Sequence, residues 1–167
     1  MKNITLISVF TICFAFTSLS QKSDSALKNY NVVHLPNYYK EVGVIFNKNY
    51  AVGIEMSNFQ SRYTPIIDDV TKAEEIFNRK YNEVQKTNVD TKVFFSRWVR
   101  QYVGLIDSNG NKNIIVQLID NTAPRKINSK LGKHWETDFM IYFSDPHPGL
   151  GILFRINIDT GEMTTKL

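Results

Sequence analysis

The sequence predicts an α+β fold in which one main helix packs on a four- to five-stranded antiparallel meander sheet. Only one segment carries apolar residues at helical spacing, and after it the apolar residues alternate with polar ones between turn-forming clusters. The chain of 167 residues is 43% hydrophobic and 13% aromatic, which is enough to bury one core. We divide it into a leader (1–20), a flexible N-terminal arm (21–40) and a single α+β domain (41–167).

Residues 1–20 have the pattern of a secretory signal peptide. Lys2 supplies a positive charge, residues 6–16 form a short apolar run, and small residues precede a cleavage point before Gln21. An uncleaved N-terminal anchor is the alternative, which the shortness of the run disfavours. We therefore expect an exported protein, periplasmic or secreted, without stable membrane insertion once the signal peptide is removed.

The arm is polar and shows no regular period, so we expect it to be flexible. Two short runs rich in β-branched residues follow it, at 41–46 and 50–56. The turn-like residues Asn47, Lys48 and Asn49 separate them. This pattern predicts two short strands joined by a turn.

The main helix is predicted to begin at Thr64-Pro65, an N-cap residue followed by a proline that suits a first helical turn. Acidic residues come next, where the positive end of the helix dipole favours them. Apolar residues spaced by three or four positions then form one stripe along the helix: Ile66, Val70, Ala73, Phe77, Tyr81 and Val84. This stripe requires an apolar surface to pack on.

The remainder of the chain indicates an antiparallel meander. Four segments with alternating β-branched and aromatic residues are predicted strands: 93–106, 113–120, 138–143 and 151–158. Asn109-Gly110 joins the first two, because this pair tolerates a two-residue type I′ turn best. A turn at 144–149 joins the last two strands.

The turn at Asn109-Gly110 would pair Val103 with Val116 and so decide which side chains share a face. The helix would then rest on the mainly aliphatic face that contains this pair. The opposite face would stay open and carry aromatic rings and guanidinium groups suited to stacking and hydrogen bonding. The predicted binding residues on it are Trp98, Arg100, Tyr102, Gln117, Tyr142 and Arg155. The alternative is that the N-terminal segment or a second copy covers this face.

Two stretches carry a resemblance to known proteins, DDVTKAEEIF at 68–77 and RQYVGLIDSNGNKNIIVQ at 100–117. They are similar to a group of short exported bacterial proteins of uncharacterised function, and the element order resembles the cystatin-like fold. The resemblance implies an α+β roll but no particular activity. Cystatin inhibitors carry a Gln-x-Val-x-Gly hairpin, whereas residues 101–104 read Gln-Tyr-Val-Gly inside a strand. Protease inhibition therefore does not carry over.

These features favour an exported, non-catalytic binding domain that takes a protein partner, a small ligand or a glycan on its open sheet face. A small cone-shaped α+β enzyme is one alternative, which a deep pocket holding a buried polar pair would support. An inhibitor of a protease or toxin is another, with the turns at 109–110 and 146–149 protruding side by side.

Several other classes are disfavoured. Cys13 is the only cysteine and the three histidines are isolated in sequence, so we predict neither a metal site nor a cofactor. The formal charge of +4 comes without a basic–aromatic motif, so no nucleic-acid partner is expected. We interpret the basic residues at 125–134 as a solvated loop. No catalytic residue is assigned.

Overall fold

The computed structural model describes residues 30–34, 42–120, 136–139 and 151–165. The predicted signal peptide, the basic loop at 125–134 and the turn at 144–149 lie outside these residues. The helices and strands are β1 (Tyr30–His34), β2 (Val42–Phe46), β3 (Phe59–Tyr63), α1 (Ile67–Gln85), α2 (Thr91–Phe94), β4 (Trp98–Asp107), β5 (Lys112–Asp120), β6 (Gly151–Asn157) and β7 (Met163–Thr164). The described strands form one sheet in the order β1-β2-β4-β5-β6-β7, and β3 also pairs with β4.

The predicted four- to five-stranded antiparallel meander is wrong, because the sheet is larger and mixed. β2 runs parallel to β4, with Gly43 beside Arg100 and Phe46 beside Val103. β3 runs antiparallel along the second half of the same β4 edge, with Tyr63 beside Gly104. A parallel neighbour is reached through a long crossover, which leaves no short turn signal in the sequence.

The N-terminal elements also differ from the prediction. β1 lies within the segment 21–40 and pairs antiparallel with β2. The predicted strand at 50–56 is an irregular loop in which Ile54 is buried. Arg62 holds this loop against the sheet, because its guanidinium group donates to the carbonyl oxygens of Gly104 (3.1 Å), Tyr50 (3.0 Å) and Asn47 (3.1 Å).

α1 confirms the predicted main helix, and its stripe is buried from Val70 to Tyr81. It begins later than expected: Ile66 occupies the N-cap position, and the Asp69 carboxylate accepts the Ile66 N–H at 3.3 Å. Thr64, the predicted N-cap, instead accepts the Lys48 N–H on its hydroxyl oxygen. Ile66 is 59% exposed, so the apolar stripe starts one turn further along the chain.

The predicted strand at 93–106 is also shorter than expected. Its first residues belong to the short helix α2, and β4 begins only at Trp98. Asp90 caps α2, because its carboxylate accepts the N–H groups of Lys92 (2.9 Å) and Val93 (3.4 Å). Asp is a strong N-cap residue, and this cap outweighs the strand propensity of the residues that follow.

The β4–β5 hairpin turns over three residues rather than two. Gly110 adopts φ 84°, whereas Asn109 does not take the positive φ that a type I′ turn requires. Tyr102 therefore pairs with Val116, and the predicted pairing of Val103 with Val116 is wrong by one residue. Because strand side chains alternate, this shift moves every β4 side chain to the other face relative to β5.

Both faces of the sheet are consequently covered. α1 packs on the face that carries Tyr102, Val116 and Phe154. The opposite face carries Val103 and Leu105, and it is covered by the loop after β2 and by the segment at 136–139. The predicted open sheet face is therefore wrong, because residues from these two connections close it.

A substitution at Gly104 would test how closely β3 approaches β4. An added Cβ would lie 2.6 Å from the Tyr63 carbonyl oxygen and 2.7 Å from its ring. We expect Gly104→Ala to lower the free energy of unfolding by about 2 kcal/mol through overpacking, measured by urea denaturation. Gly53→Ala is the matched control, because nothing lies within 4 Å of the added atom. Equal stability of the two variants would contradict this packing.

Candidate functional site

The structure does not bring the six predicted binding residues together. Arg100 (2% exposed) and Tyr102 (0% exposed) are buried beneath α1, and Trp98 is partly buried at the margin of the same core. Gln117 is buried on the opposite face, where Arg155 is half-buried. Tyr142 lies outside the described residues. The one-residue shift of the hairpin explains the separation, because it places the first three residues on the helix side.

Glu74 of α1 joins the two buried β4 residues. Its Oε1 accepts the Tyr102 hydroxyl at 2.8 Å and lies 2.9 Å from Arg100 Nε. Arg100 Nη1 also donates to the Trp98 carbonyl oxygen at 2.8 Å. Glu74 and Tyr102 are fully buried, so this triad ties α1 to the sheet through a charge pair inside the core.

A buried carboxylate beside a guanidinium and a phenol is a combination that acid–base catalysis uses. Within the described residues, Glu74 Oε2 is buried and has no hydrogen-bond partner. However, none of the three side chains lines the groove described below. The triad is therefore best explained as an internal connection between α1 and β4.

Gln117 has a comparable structural role on the opposite face. Its Nε2 donates to Gln101 Oε1 at 3.2 Å, and Gln101 Nε2 donates to the Asp138 carbonyl oxygen at 2.9 Å. The Tyr50 hydroxyl accepts the Phe139 N–H at 3.0 Å. These contacts hold the segment at 136–139 over the sheet, so Gln117 does not present its amide to a ligand.

A groove of about 790 Å³ runs between the second half of α1, the β6–β7 hairpin and the ends of β4 and β5. Most of its lining side chains carry hydrogen-bonding groups. Those with charged or carboxamide groups are Asn58, Arg79, Lys80, Glu83, Asp107, Asn113, Arg155, Asn157 and Glu162. Of the five predicted binding residues that the structure describes, only Arg155 lies here. This groove is the candidate site.

Among the described residues of the groove, Asp107 accepts the most hydrogen bonds on its side chain. Its carboxylate accepts the N–H groups of Asn109 and Asn111 at 2.9 Å and the side-chain amides of Asn113 (3.1 Å) and Asn157 (3.4 Å). Partial burial acts to raise the pKa of Asp107, but the hydrogen bonds outweigh it and hold the pKa below its ordinary value of 3.8. The carboxylate therefore stays ionised at neutral pH.

The basic residues of the groove fall into two groups. Lys80 forms an ion pair with Glu83 at 2.9 Å. In contrast, the guanidinium groups of Arg79 and Arg155 make no ion pair or hydrogen bond with other described residues. Arg155 instead lies over the Phe59 ring, with Cζ 5.9 Å from the centroid. Two guanidinium groups thus remain available to an anionic ligand.

A second polar cluster lies at the other end of α1, outside the groove. Lys112 Nζ lies 3.1 Å from Asp69 Oδ1 and 5.3 Å from the centroid of the Tyr63 ring. Burial raises the pKa of the Tyr63 hydroxyl, and the carboxylates of Asp69 and Asp159 raise it further. Tyr63 therefore stays neutral, and the cluster joins α1 to β5.

Sequence reasoning missed most of the groove. Arg79 is one of many charged residues on the exposed side of α1, and no local pattern distinguishes it. Asp107, Asn113 and Asn157 carried a weak signal, since each lies at or near a strand end. Their meeting depends on the pairing of β5 with both neighbours, which places Asn113 opposite Leu105 and Asn157.

The described residues contain neither a metal-binding group nor a membrane-spanning helix. Within 30–34, 42–120, 136–139 and 151–165, no group of three His, Cys, Asp or Glu side chains could hold a metal ion. Neither α1 nor α2, the helices of those same ranges, has the length and apolar content needed to cross a bilayer.

Comparisons with protein-family models, curated proteins and solved structures find no match to this chain. The resemblance to short exported bacterial proteins therefore stays a prediction.

Glu74 should be more important for stability than for binding. Glu74→Gln removes the carboxylate charge that lies 2.9 Å from the buried Arg100 guanidinium, so we expect the free energy of unfolding to fall by about 3 kcal/mol. Tyr102→Phe keeps the ring and loses one hydrogen bond, so a smaller loss of about 1–2 kcal/mol is expected. Urea denaturation measures both, with the exposed Glu75→Gln as control. A Glu74→Gln variant as stable as this control would contradict the buried ion pair.

Asp107 should make stability depend on pH in the acid range. Because its pKa is lowered in the folded state, its contribution is present above the ordinary pKa and is lost as the pH falls through the folded-state value. The stability difference between the wild type and Asp107→Asn should therefore be constant well above the ordinary pKa of 3.8 and shrink as the pH falls below it. Denaturation midpoints across this range measure it, with Glu55→Gln controlling for the loss of one carboxylate. A constant difference would contradict stabilisation of the ionised form.

Proposed function

We propose that the protein is an exported, non-catalytic module that binds an acidic saccharide in the groove between α1 and the β6–β7 hairpin. The observation that carries this proposal is the pair of guanidinium groups, Arg79 and Arg155, that line the groove without an anionic partner in the described chain. The groove takes the place of the open sheet face that the sequence suggested.

The lining favours a hydroxyl-rich ligand over an apolar one. The exposed carboxamide of Asn58 and the exposed hydroxyl of Thr160 offer donors and acceptors to the hydroxyl groups of a sugar ring, whereas the carboxamides of Asn113 and Asn157 donate to Asp107. Only Phe59, Val84 and Met163 contribute larger apolar side chains. A peptide ligand would usually need an apolar pocket for an anchoring side chain, and this groove offers little surface of that kind.

The two guanidinium groups without an ion pair favour an acidic saccharide over a neutral one. The described lining carries three basic side chains (Arg79, Lys80 and Arg155) and three acidic ones (Glu83, Asp107 and Glu162), so its formal charges balance. Lys80 is paired with Glu83, and the preference for an acidic group therefore rests on Arg79 and Arg155. A guanidinium group binds carboxylate or sulfate oxygens through two parallel hydrogen bonds, so Arg79 and Arg155 supply the specificity for the acidic group.

The groove is poorly suited to cleaving such a ligand. Glycoside hydrolysis needs one carboxyl group that stays protonated as an acid and a second carboxylate opposite it. Asp107 has a lowered pKa, so it is a weak proton donor at neutral pH, and Glu83 is bound to Lys80. These properties support binding without turnover, in a compartment that the predicted signal peptide would reach.

The proposal is tested by calorimetric titration of the mature protein with polygalacturonate, chondroitin sulfate and neutral dextran. We expect binding of at least one acidic polymer and none of dextran. Arg79→Gln and Arg155→Gln should each weaken the affinity about tenfold, the loss of one charge-assisted contact. Arg97→Gln removes an exposed arginine outside the groove and is the matched control for net charge.

Two results would refute this function. One is the absence of binding to every acidic polymer. The other is equal weakening by Arg79→Gln, Arg155→Gln and Arg97→Gln, which would indicate attraction to the overall positive charge instead of recognition in the groove.

A further inference from the structure

A second surface lies on α2, outside the groove. Val93 (67% exposed) and Phe94 (52% exposed) are consecutive and project from this short helix. Neither of them lines the groove. Exposed large apolar side chains that adjoin each other indicate an interaction surface.

Three exposed basic residues lie near this apolar pair in the sequence. Lys86, Lys92 and Arg97 are exposed and form no ion pair with other residues of the described ranges. The nearby acidic residue, Asp90, uses its carboxylate to accept the N–H groups of Lys92 and Val93. α2 therefore presents an apolar tip within a positively charged border.

Hydrogen bonds from α1 hold the segment that leads into α2. Asn82 of α1 donates from Nδ2 to the Val89 carbonyl oxygen and accepts the Val89 N–H on Oδ1, at 2.9 and 3.0 Å. The Thr91 hydroxyl donates to Asn78 Oδ1 at 2.6 Å. These bonds fix the segment between α1 and α2, so the exposed side chains are held in place before any partner arrives.

Aromatic contacts anchor the same tip to the core. The rings of Phe94 and Phe95 are 4.8 Å apart, and those of Phe95 and Trp98 are 5.2 Å apart. Phe95 is fully buried and Trp98 partly buried. Trp98, predicted as a binding residue, thus packs against Phe95, which in turn packs against the exposed Phe94.

We propose that α2 adsorbs reversibly to an anionic lipid bilayer, with Val93 and Phe94 entering the headgroup region and the basic residues facing the lipid phosphates. Apolar side chains bordered by Lys and Arg are the combination that binds such surfaces. A stable protein interface buries about 800 Å² on each partner, far more than two side chains provide. A bilayer accepts individual side chains, so the small size of the patch favours lipid.

The experiment is flotation of the mature protein with vesicles of phosphatidylcholine containing about one third phosphatidylglycerol, compared with vesicles of phosphatidylcholine alone. We expect binding only to the anionic vesicles, with a bound fraction that falls as salt is added. Val93→Ser combined with Phe94→Ser should reduce the vesicle affinity about tenfold or more, and so should Lys92→Gln combined with Arg97→Gln.

Matched controls separate this surface from the groove. Val32→Ser removes another exposed apolar side chain (47% exposed), and Arg79→Gln removes a positive charge from the groove. Both should leave vesicle binding unchanged, and the α2 variants should leave saccharide binding unchanged. Circular dichroism and thermal unfolding verify that each variant is folded.

Any of four results would overturn the inference. Three of them are the absence of binding to anionic vesicles, undiminished binding by the Val93→Ser/Phe94→Ser variant, and equal loss in the Arg79→Gln control. A dimer that the Phe94 substitution dissociates, seen in sedimentation without vesicle binding, would assign α2 to protein association and so also overturn it.

Discussion

The carboxylate of Asp107 organises the hairpin on which the rest of the sheet depends. It binds the turn through the N–H groups of Asn109 and Asn111 and reaches β5 and β6 through Asn113 and Asn157. A three-residue turn held in this way pairs Tyr102 with Val116. Because a shift of one residue exchanges the two faces of a strand, this register determines which β4 side chains meet α1.

That register has a consequence for the core. Arg100 and Tyr102 face α1. There the Glu74 carboxylate accepts a hydrogen bond from the Tyr102 hydroxyl and forms an ion pair with Arg100. Burying a charge pair is costly unless its geometry and hydrogen bonds compensate, and here residues of α1 and β4 supply these contacts. The aliphatic residues of β4, including Val103 and Leu105, support the opposite layer instead. The sheet thus becomes a central layer with cover on both sides.

With both faces of the described sheet covered, the two candidate interaction surfaces lie at its margins. The groove forms where α1 passes the β6–β7 hairpin, and α2 projects where the chain turns back from α1 into the sheet. Their chemistries are complementary. The groove presents hydrogen-bonding groups and guanidinium charge, whereas α2 presents an apolar tip with a basic border. A protein with both surfaces would bind an acidic saccharide in the groove while α2 is adsorbed to an anionic lipid bilayer.

The sequence by itself determined the local features: α1 with its buried stripe, the turn near Gly110 and the alternating strands β4, β5 and β6. These follow from the periods of 3.6 and 2 and from glycine's tolerance of positive φ, all properties of short segments. It also predicted Arg155 as a binding residue, although on an open sheet face and not in the groove that this side chain lines. The tertiary structure alone decided the hairpin register, the parallel pairing of β2 with β4 and the meeting of Arg79 with Arg155 in one groove. Such features depend on contacts between distant segments and on one-residue differences in turn length, which local patterns do not encode.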